Sequence, residues 1–189
     1  MIEIAVVLVI IGVLLAFAAP SITAWVRNTQ VRNVATSLQA GLHRARSEAI
    51  RRNVQVSFSL VTTTATLDNT CALTNTGASW VVSRQNPAGQ CATDVSETAA
   101  PRIVEKHAGA VRSGDITVAA TDGGGAASSA VVFNGFGRVV NGNAITQIQV
   151  ASAQGADNNM RLLIGVGGTV QMCIVSAALL AANDPRACP

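Results

Sequence analysis

The chain has 189 residues, enough for one domain and one long extra element, and its net charge of +3 is modest but unevenly distributed. Hydrophobic residues make up 49% of it, but aromatics only 3%, with no tyrosine. Ala, Val, Thr, Ser and Gly dominate, which favours a β-rich body with small side chains and leaves little for stacking on bases.

The first stretch, MIEIAVVLVIIGVLLAFAAP, is apolar except for Glu3. Met1 to Ala24 reaches the roughly 20 apolar residues needed to span a bilayer as a helix. Glu3 is costly there, about 3 kcal/mol even on lenient scales, and calls for a partner. No Lys, Arg or His lies within twenty residues of it, so that partner is sought on another molecule. Three readings stand. A cleavable secretory signal fits Ala16-Phe17-Ala18 but not the missing basic n-region. A plain anchor and an assembly helix whose glutamate meets a partner's charge are the others.

Pro20 removes one backbone donor and should kink the helix. The helical pattern nevertheless resumes. Val31, Val34, Ala35, Leu38, Leu42, Ala45 and Ala49 recur at steps of three and four. Arg27, Arg32, Arg44, Arg46 and Arg51 fall off that stripe and read as a solvated face, with a basic surface for phospholipid or nucleic acid as the rival. From Ile4 to Leu67 there are six arginines and one acid, Glu48, a balance of +5. A signal peptide has no reason to continue into such a stem.

An apolar N-terminal helix with an early Glu, a Pro seventeen residues later and an Arg-rich amphipathic continuation resembles a type IV pilin. SITAWVRNTQVRNVATSLQAGLHRARSEAIRRNVQV is similar to the GspH/FimT group of minor pilins and pseudopilins, as is VVFNGFGRVV. The ending DPRACP resembles the FimU-like minor pilins of that group. The likeness is strong over 1–56, moderate over 130–189 and weak between.

It implies an α+β, type IV pilin-like fold: a long kinked N-terminal helix, transmembrane in its first half, packed on a head of antiparallel β-sheet. Residues 1–24 would be the transmembrane and assembly helix, and 25–189 the periplasmic head, with a stem over 25–52 and a β-rich part over 53–189. It implies a non-enzymatic protein without cofactor or metal, held in the inner membrane and then moved to the pilus. Its partners would be other minor pilins and the major pilin through the helix. Glu3 and Pro20 would serve assembly, with Glu3 neutralising a neighbour's terminal amine. Family precursors carry a short basic leader ending in Gly, removed by a prepilin peptidase, and a methylated Phe at the mature N-terminus. Aligned on Glu3, this sequence starts two residues inside that mature protein.

Arg27 and Arg32 just after the span would by themselves hold the C-terminus in the cytoplasm. The cysteines argue for export. Cys71, Cys91, Cys173 and Cys188 are an even set and read as disulfides. Three pairings are possible. The local one, Cys71–Cys91 with Cys173–Cys188, closes two short loops worth about 3 kcal/mol each. Zinc is disfavoured, because no C-x2-C or C-x4-C spacing occurs.

Past Arg52 the period changes to two. Val54, Val56, Phe58 and Leu60 form a strand, with Val61 to Leu67 as its extension or hairpin partner. Further strands are expected at Trp80–Arg84, Ile116–Ala120, Val131–Phe133 and around Ile145, Ile148 and Val150. Arg161–Gly165 and Thr169–Cys173 read as a hairpin. Residues 92–115 are poorly patterned beyond Ile103-Val104. Gly123 to Gly125 reads as a flexible connector, and Ser176 to Ala182 as a short helical turn.

No catalytic set stands out. There is no G-x-S-x-G and no G-K-[ST] after the glycines, and His43 and His107 stand apart. Some FimT-type pilins bind DNA through a G-R-x-R motif. Here Gly137-Arg138-Val139-Val140 lacks the second arginine, and Arg161 and Arg186 are the only others beyond Arg138. DNA binding through Arg138, Arg161 and Arg186 is therefore an alternative and not the favoured reading; a type II secretion pseudopilin is another.

Overall fold

The computed structural model describes residues 2–62, 66–109, 116–154, 159–175 and 184–188. Within the first helix it describes the side chains of Glu3, Ile4, Val6, Val7, Ile10, Ile11 and everything from Ile22 onward. The expected turn at Ser176–Ala182 lies outside the described residues.

Helix α1 runs unbroken from Ile2 to Arg52, through Pro20. At 1.5 Å per residue it is about 77 Å long. Its C-terminal end breaks at Asn53, whose φ of 51° suits the short side chain of Asn. Eight strands follow: β1 (Val56–Val61), β2 (Ser79–Ser83), β3 (Ile103–His107), β4 (Ile116–Thr121), β5 (Ala130–Phe133), β6 (Gln147–Ser152), β7 (Met160–Ile164) and β8 (Val170–Ile174). They form two antiparallel sheets where the sequence led us to expect one. The first is ordered β3-β2-β1-β5 and the second β4-β6-β7-β8.

Both sheets cover the same helix. The predicted stripe is the spine of the core: Val31, Ala35, Leu38, Leu42, Ala45 and Ala49 are all fully buried. Val56, Phe58, Leu60, Trp80, Val82, Val131 and Phe133 of the first sheet meet them. So do Val118, Ala120, Ile148, Val150, Met160, Leu162 and Ile164 of the second. Alternation with period two puts these side chains on one face of each strand. Truncating Leu38 or Leu42 here would cost about 2–5 kcal/mol.

The far face of the first sheet carries a second, smaller core. Val61, Val81 and Ile103 pack there with Cys71 and Cys91, which are bonded to each other. Val81 sits between Trp80 and Val82, so β2 is buried on both faces. The other disulfide, Cys173–Cys188, ties β8 to the C-terminal segment, where Ile174 N–H donates to the carbonyl of Arg186 at 2.8 Å.

Several local readings are corrected. β1 ends at Val61, which bridges Leu73, and its sheet neighbours are β2 and β5; residues 63–65 of the expected extension or hairpin partner lie outside the described residues. Gly123–Gly125 is no flexible connector. Asp122 Oδ1 accepts the N–H groups of Gly124 and Ala126, both at 2.9 Å, and closes a tight turn. Ile145 is buried just before β6 and not within it. The weakly patterned stretch around Ile103 yields β3, in which Ile103 and Val104 are followed by polar Glu105, Lys106 and His107.

Candidate assembly surface

The helix divides into two parts by what covers it. From Val31 onward one face is sealed by the sheets. Before that, Ile4, Val6, Val7, Ile10, Ile11, Ile22, Trp25 and Val26 all stand exposed, and Glu3 is exposed among them. Isolated apolar side chains on a surface are ordinary; here every described apolar side chain of the stretch before Val31 is exposed except Ala24. Among the described residues no helix is long and apolar enough to cross a membrane.

Charge is concentrated at the other end of the helix. Glu48 is only 2% exposed, yet three arginines of its own helix surround it. Arg51 Nη2 and Arg52 Nε each approach Glu48 Oε2 at 2.6 Å, and Arg44 Nη2 lies 3.3 Å from Oε1. Burial pushes the Glu48 carboxyl up; hydrogen bonds from Arg51 and Arg52, with the charges of Arg44 and Arg51, outweigh it and hold it below its ordinary value of 4.5. The cluster extends into the head. Arg44 Nε meets Glu105 of β3 at 3.1 Å, and Arg52 Nη1 meets Glu97 at 2.7 Å. Arg46 points elsewhere: its Nε donates to the carbonyl of Gly137 at 3.2 Å, and its Nη2 to that of Gly167 at 3.5 Å. Arg44, Arg46 and Arg52 of the upper stem therefore join helix to head. Of the arginines read as a solvated face, Arg44 and Arg46 are engaged with the head, while Arg32 and Arg51 are exposed.

The three arginines considered for DNA do not gather. The β7–β8 turn is reached by Val139, whose N–H donates to the Val166 carbonyl at 3.1 Å, so exposed Arg138 lies at the turn end of that hairpin. Arg161 pairs with Cys173 near its open end, where the Arg186 carbonyl joins Ile174. From Arg161 to Gly165 is about 13 Å of strand at 3.3 Å per residue. Arg161 is half-buried and its Nε is enclosed without a hydrogen-bond partner. Arg186 is engaged by Asp184, at 3.0 Å through Nε and 2.7 Å through Nη2, which holds the Asp184 carboxyl down at about 2. Among the described residues no group of three or more His, Cys, Asp or Glu side chains could hold a metal ion.

Sequence reasoning passed over Glu48 and Arg46 as functional anchors. The signal was present: Glu48 has Arg44 four residues before it and Arg51 and Arg52 three and four after it.

One long N-terminal helix, exposed and apolar at its start and buried under antiparallel sheets at its end, defines a pilin-type subunit. The chain belongs to the GspH family: the sequence model of that family, described as type II transport protein GspH, matches residues 34–173. Two solved structures of the type IV minor pilin FimU from Pseudomonas aeruginosa strain PAO1 are similar to it. The crystal form in space group P21 has 17% identity and a TM-score of 0.49, covering 76% of this chain and 88% of FimU. The form in space group P65 has 19% identity and a TM-score of 0.45, covering 75% and 90%. No curated protein sequence matches the chain.

Proposed function

We propose that the protein is a non-enzymatic minor pilin that joins a priming or tip complex for type IV pilus assembly. The observation that carries this is the division of α1 into a first part whose described large apolar side chains are exposed and a second part sealed on one face by the head. The first part would wait in the inner membrane with the head in the periplasm, then pass into a bundle of helices from other minor pilins and the major pilin. A precursor with a leader would be cut by prepilin peptidase. Glu3 would meet the terminal amine of a neighbouring subunit and fix axial register, since a carboxylate buried without its partner is penalised by several kcal/mol. Disulfides suit the periplasm and cell surface.

Membership of a family described by type II transport favours a second reading, a minor pseudopilin of type II secretion. The same assembly physics applies to both; neighbouring genes distinguish them, other prepilins for the pilus and secretion genes for the pseudopilus. Co-purification from detergent-solubilised envelopes tests the shared part. The full chain should bring down other pilin-like subunits, and a chain starting after Ala24 should not. Equal recovery with both would remove the helix from the assembly role.

A further inference from the structure

Phe136, at 82% exposure, and Val166, at 76%, are the most exposed large apolar side chains among the described residues. They sit on two turns that touch. Val139 N–H donates to the Val166 carbonyl at 3.1 Å, and Gly168 packs so closely on the Gly137 carbonyl that a Cβ there would strike it. Arg46 holds both turns against the end of α1 through the carbonyls of Gly137 and Gly167. Phe136 is therefore presented rigidly. Asn134 Oδ1 accepts the N–H groups of Phe136 and Arg138, both at 3.0 Å, and the Asn134 carbonyl accepts that of Gly137 at 2.8 Å. The segments that follow these turns border a hole. Val139, Ala144, Ile145, Ile164 and Val166 line a cavity of about 190 Å³, with Gly123 and Gly142 exposed at its edge and no charged side chain among the described residues of its wall.

We propose that this end of the head docks a second copy of the chain, Phe136 of one copy entering the cavity of the other. The inference uses no residue before Arg46, so it stands apart from the membrane and assembly roles of the first part of α1. Three observations name the occupant. The first is size. An apolar cavity of about 150 Å³ already takes benzene, so this one admits a phenyl ring. The second is charge. Arg138 is exposed two residues from Phe136, and Asp122 adjoins Gly123 at the cavity edge, so a seated ring brings a cation of one copy toward an acid of the other. The third is that each chain carries both knob and hole, and the knob does not fill its own hole, because its ring is exposed. Complementary patches on one chain are the condition for contact between copies. The rigid turn lowers the ordering cost of docking, and the small contact makes the association weak and reversible.

Sedimentation velocity of the full chain in detergent, across a dilution series, tests this. The parent should self-associate reversibly. Phe136→Ser removes the knob at an exposed position, and Gly142→Leu plugs the hole where an added Cβ meets nothing within 4 Å, so both variants should fold. Each alone should weaken association about tenfold or more, as loss of a central aromatic anchor does. An equimolar mixture of the two should recover association, because the knob of one variant still meets the hole of the other. Arg138→Glu should weaken the parent's association by less. In intact envelopes, Phe136→benzoylphenylalanine should photo-crosslink to residues 139–146 or 164–166 of a second copy. A parent that stays monomeric, or a mixture that associates no better than its components, would overturn the inference. Association equal in the parent and both variants would belong to α1, overturning the inference and leaving the assembly reading standing. Crosslinking only to a different protein would remove the second copy as occupant.

Discussion

Gly41 of the helix lies directly under the indole of Trp80. A Cβ built on Gly41 would stand 2.9 Å from Trp80 Cδ2 and 2.8 Å from Phe58 Cε2. Neither ring can retreat. Trp80 is tilted against Phe58 at 5.9 Å, stacked on His107 at 5.5 Å, and its Nε1 donates to Ser37 Oγ at 3.0 Å. The bare backbone is what lets the first sheet approach the helix. Alanine would gain about 1 kcal/mol of helix propensity, and overpacking would cost about 1–3 kcal/mol. Gly41→Ala should therefore lower stability modestly, and Gly41→Val more, because two buried rings must move and the β-branched side chain fits the helix less well. Thermal denaturation in detergent, followed by near-ultraviolet circular dichroism of Trp80, checks the order; an unchanged midpoint for Gly41→Val would show that the sheet can shift freely.

The Glu48 cluster predicts an acid-sensitive joint between helix and head. The folded carboxyl lies below its ordinary value of 4.5. A group depressed on folding contributes stability that is present above the unfolded value and lost as pH falls through the folded one. The contribution of Glu48 should be constant from neutral pH to about 5 and fall away below about 4.5. Glu48→Gln should cost about 1–3 kcal/mol at neutral pH, since its three arginines lose a buried acceptor. The gap between parent and variant should then close as the solution is acidified. Urea titrations at pH 7, 5 and 3.5 read this directly, and a gap that stays constant with pH would mean that the carboxylate charge is not what holds the joint.

The core face of α1 was legible in the sequence because burial there follows a simple period: each of Val31, Ala35, Leu38, Leu42, Ala45 and Ala49 is enclosed. The β7–β8 hairpin was legible for the same reason, with two short apolar runs about a glycine turn. β3 was not. Glu105, Lys106 and His107 are placed by partners distant in sequence: Arg44, the carbonyls of Cys91 to Thr93, and the Trp80 ring. The second sheet was hidden too, because no local pattern says whether eight short strands form one layer or two. Arg44 and Arg46 were misread for a related reason. Helical spacing shows which side of the helix a residue takes, but not that Gly137 and Gly167 bring carbonyls to Arg46 from the head.

Dispersal of Arg138, Arg161 and Arg186 predicts weak duplex binding. A phosphate-tracking surface needs cations side by side, and each phosphate neutralised adds about 0.9 to the slope of log affinity against log salt. Arg186 is already engaged by Asp184, and Arg161 is half-buried. The head should bind DNA with a slope near 1, and Arg138→Ala should remove most of it while Arg161→Ala and Arg186→Ala change little. Fluorescence anisotropy over a salt series measures both. Tight binding at physiological salt, lost in any of the three variants, would favour the DNA-receptor alternative.

Glu3 decides whether α1 is an assembly device or only an anchor. It stands in the first turn of the helix, where the macrodipole favours a carboxylate by at most about 1 kcal/mol at an exposed site. The nearest cationic side chain along the chain is Arg27, about 36 Å further up the helix axis, so no side chain of its own helix neutralises it. A plain anchor would tolerate Glu3→Leu and insert better without the charge. An assembly helix would not, because the neighbour's amine would be buried without its counter-charge. Glu3→Leu, made in a precursor carrying a leader, should still reach the inner membrane and should still form Cys71–Cys91 and Cys173–Cys188, which lie far from the change. Its incorporation into sheared filaments, and its recovery with other pilins, should fall at least tenfold, the effect of losing about 1.4 kcal/mol of pairing. Glu3→Asp should recover part of that loss, since it keeps the charge on a shorter arm. Assembly of Glu3→Leu at the parent's level would leave α1 a membrane anchor whose first-turn acid has no part in register.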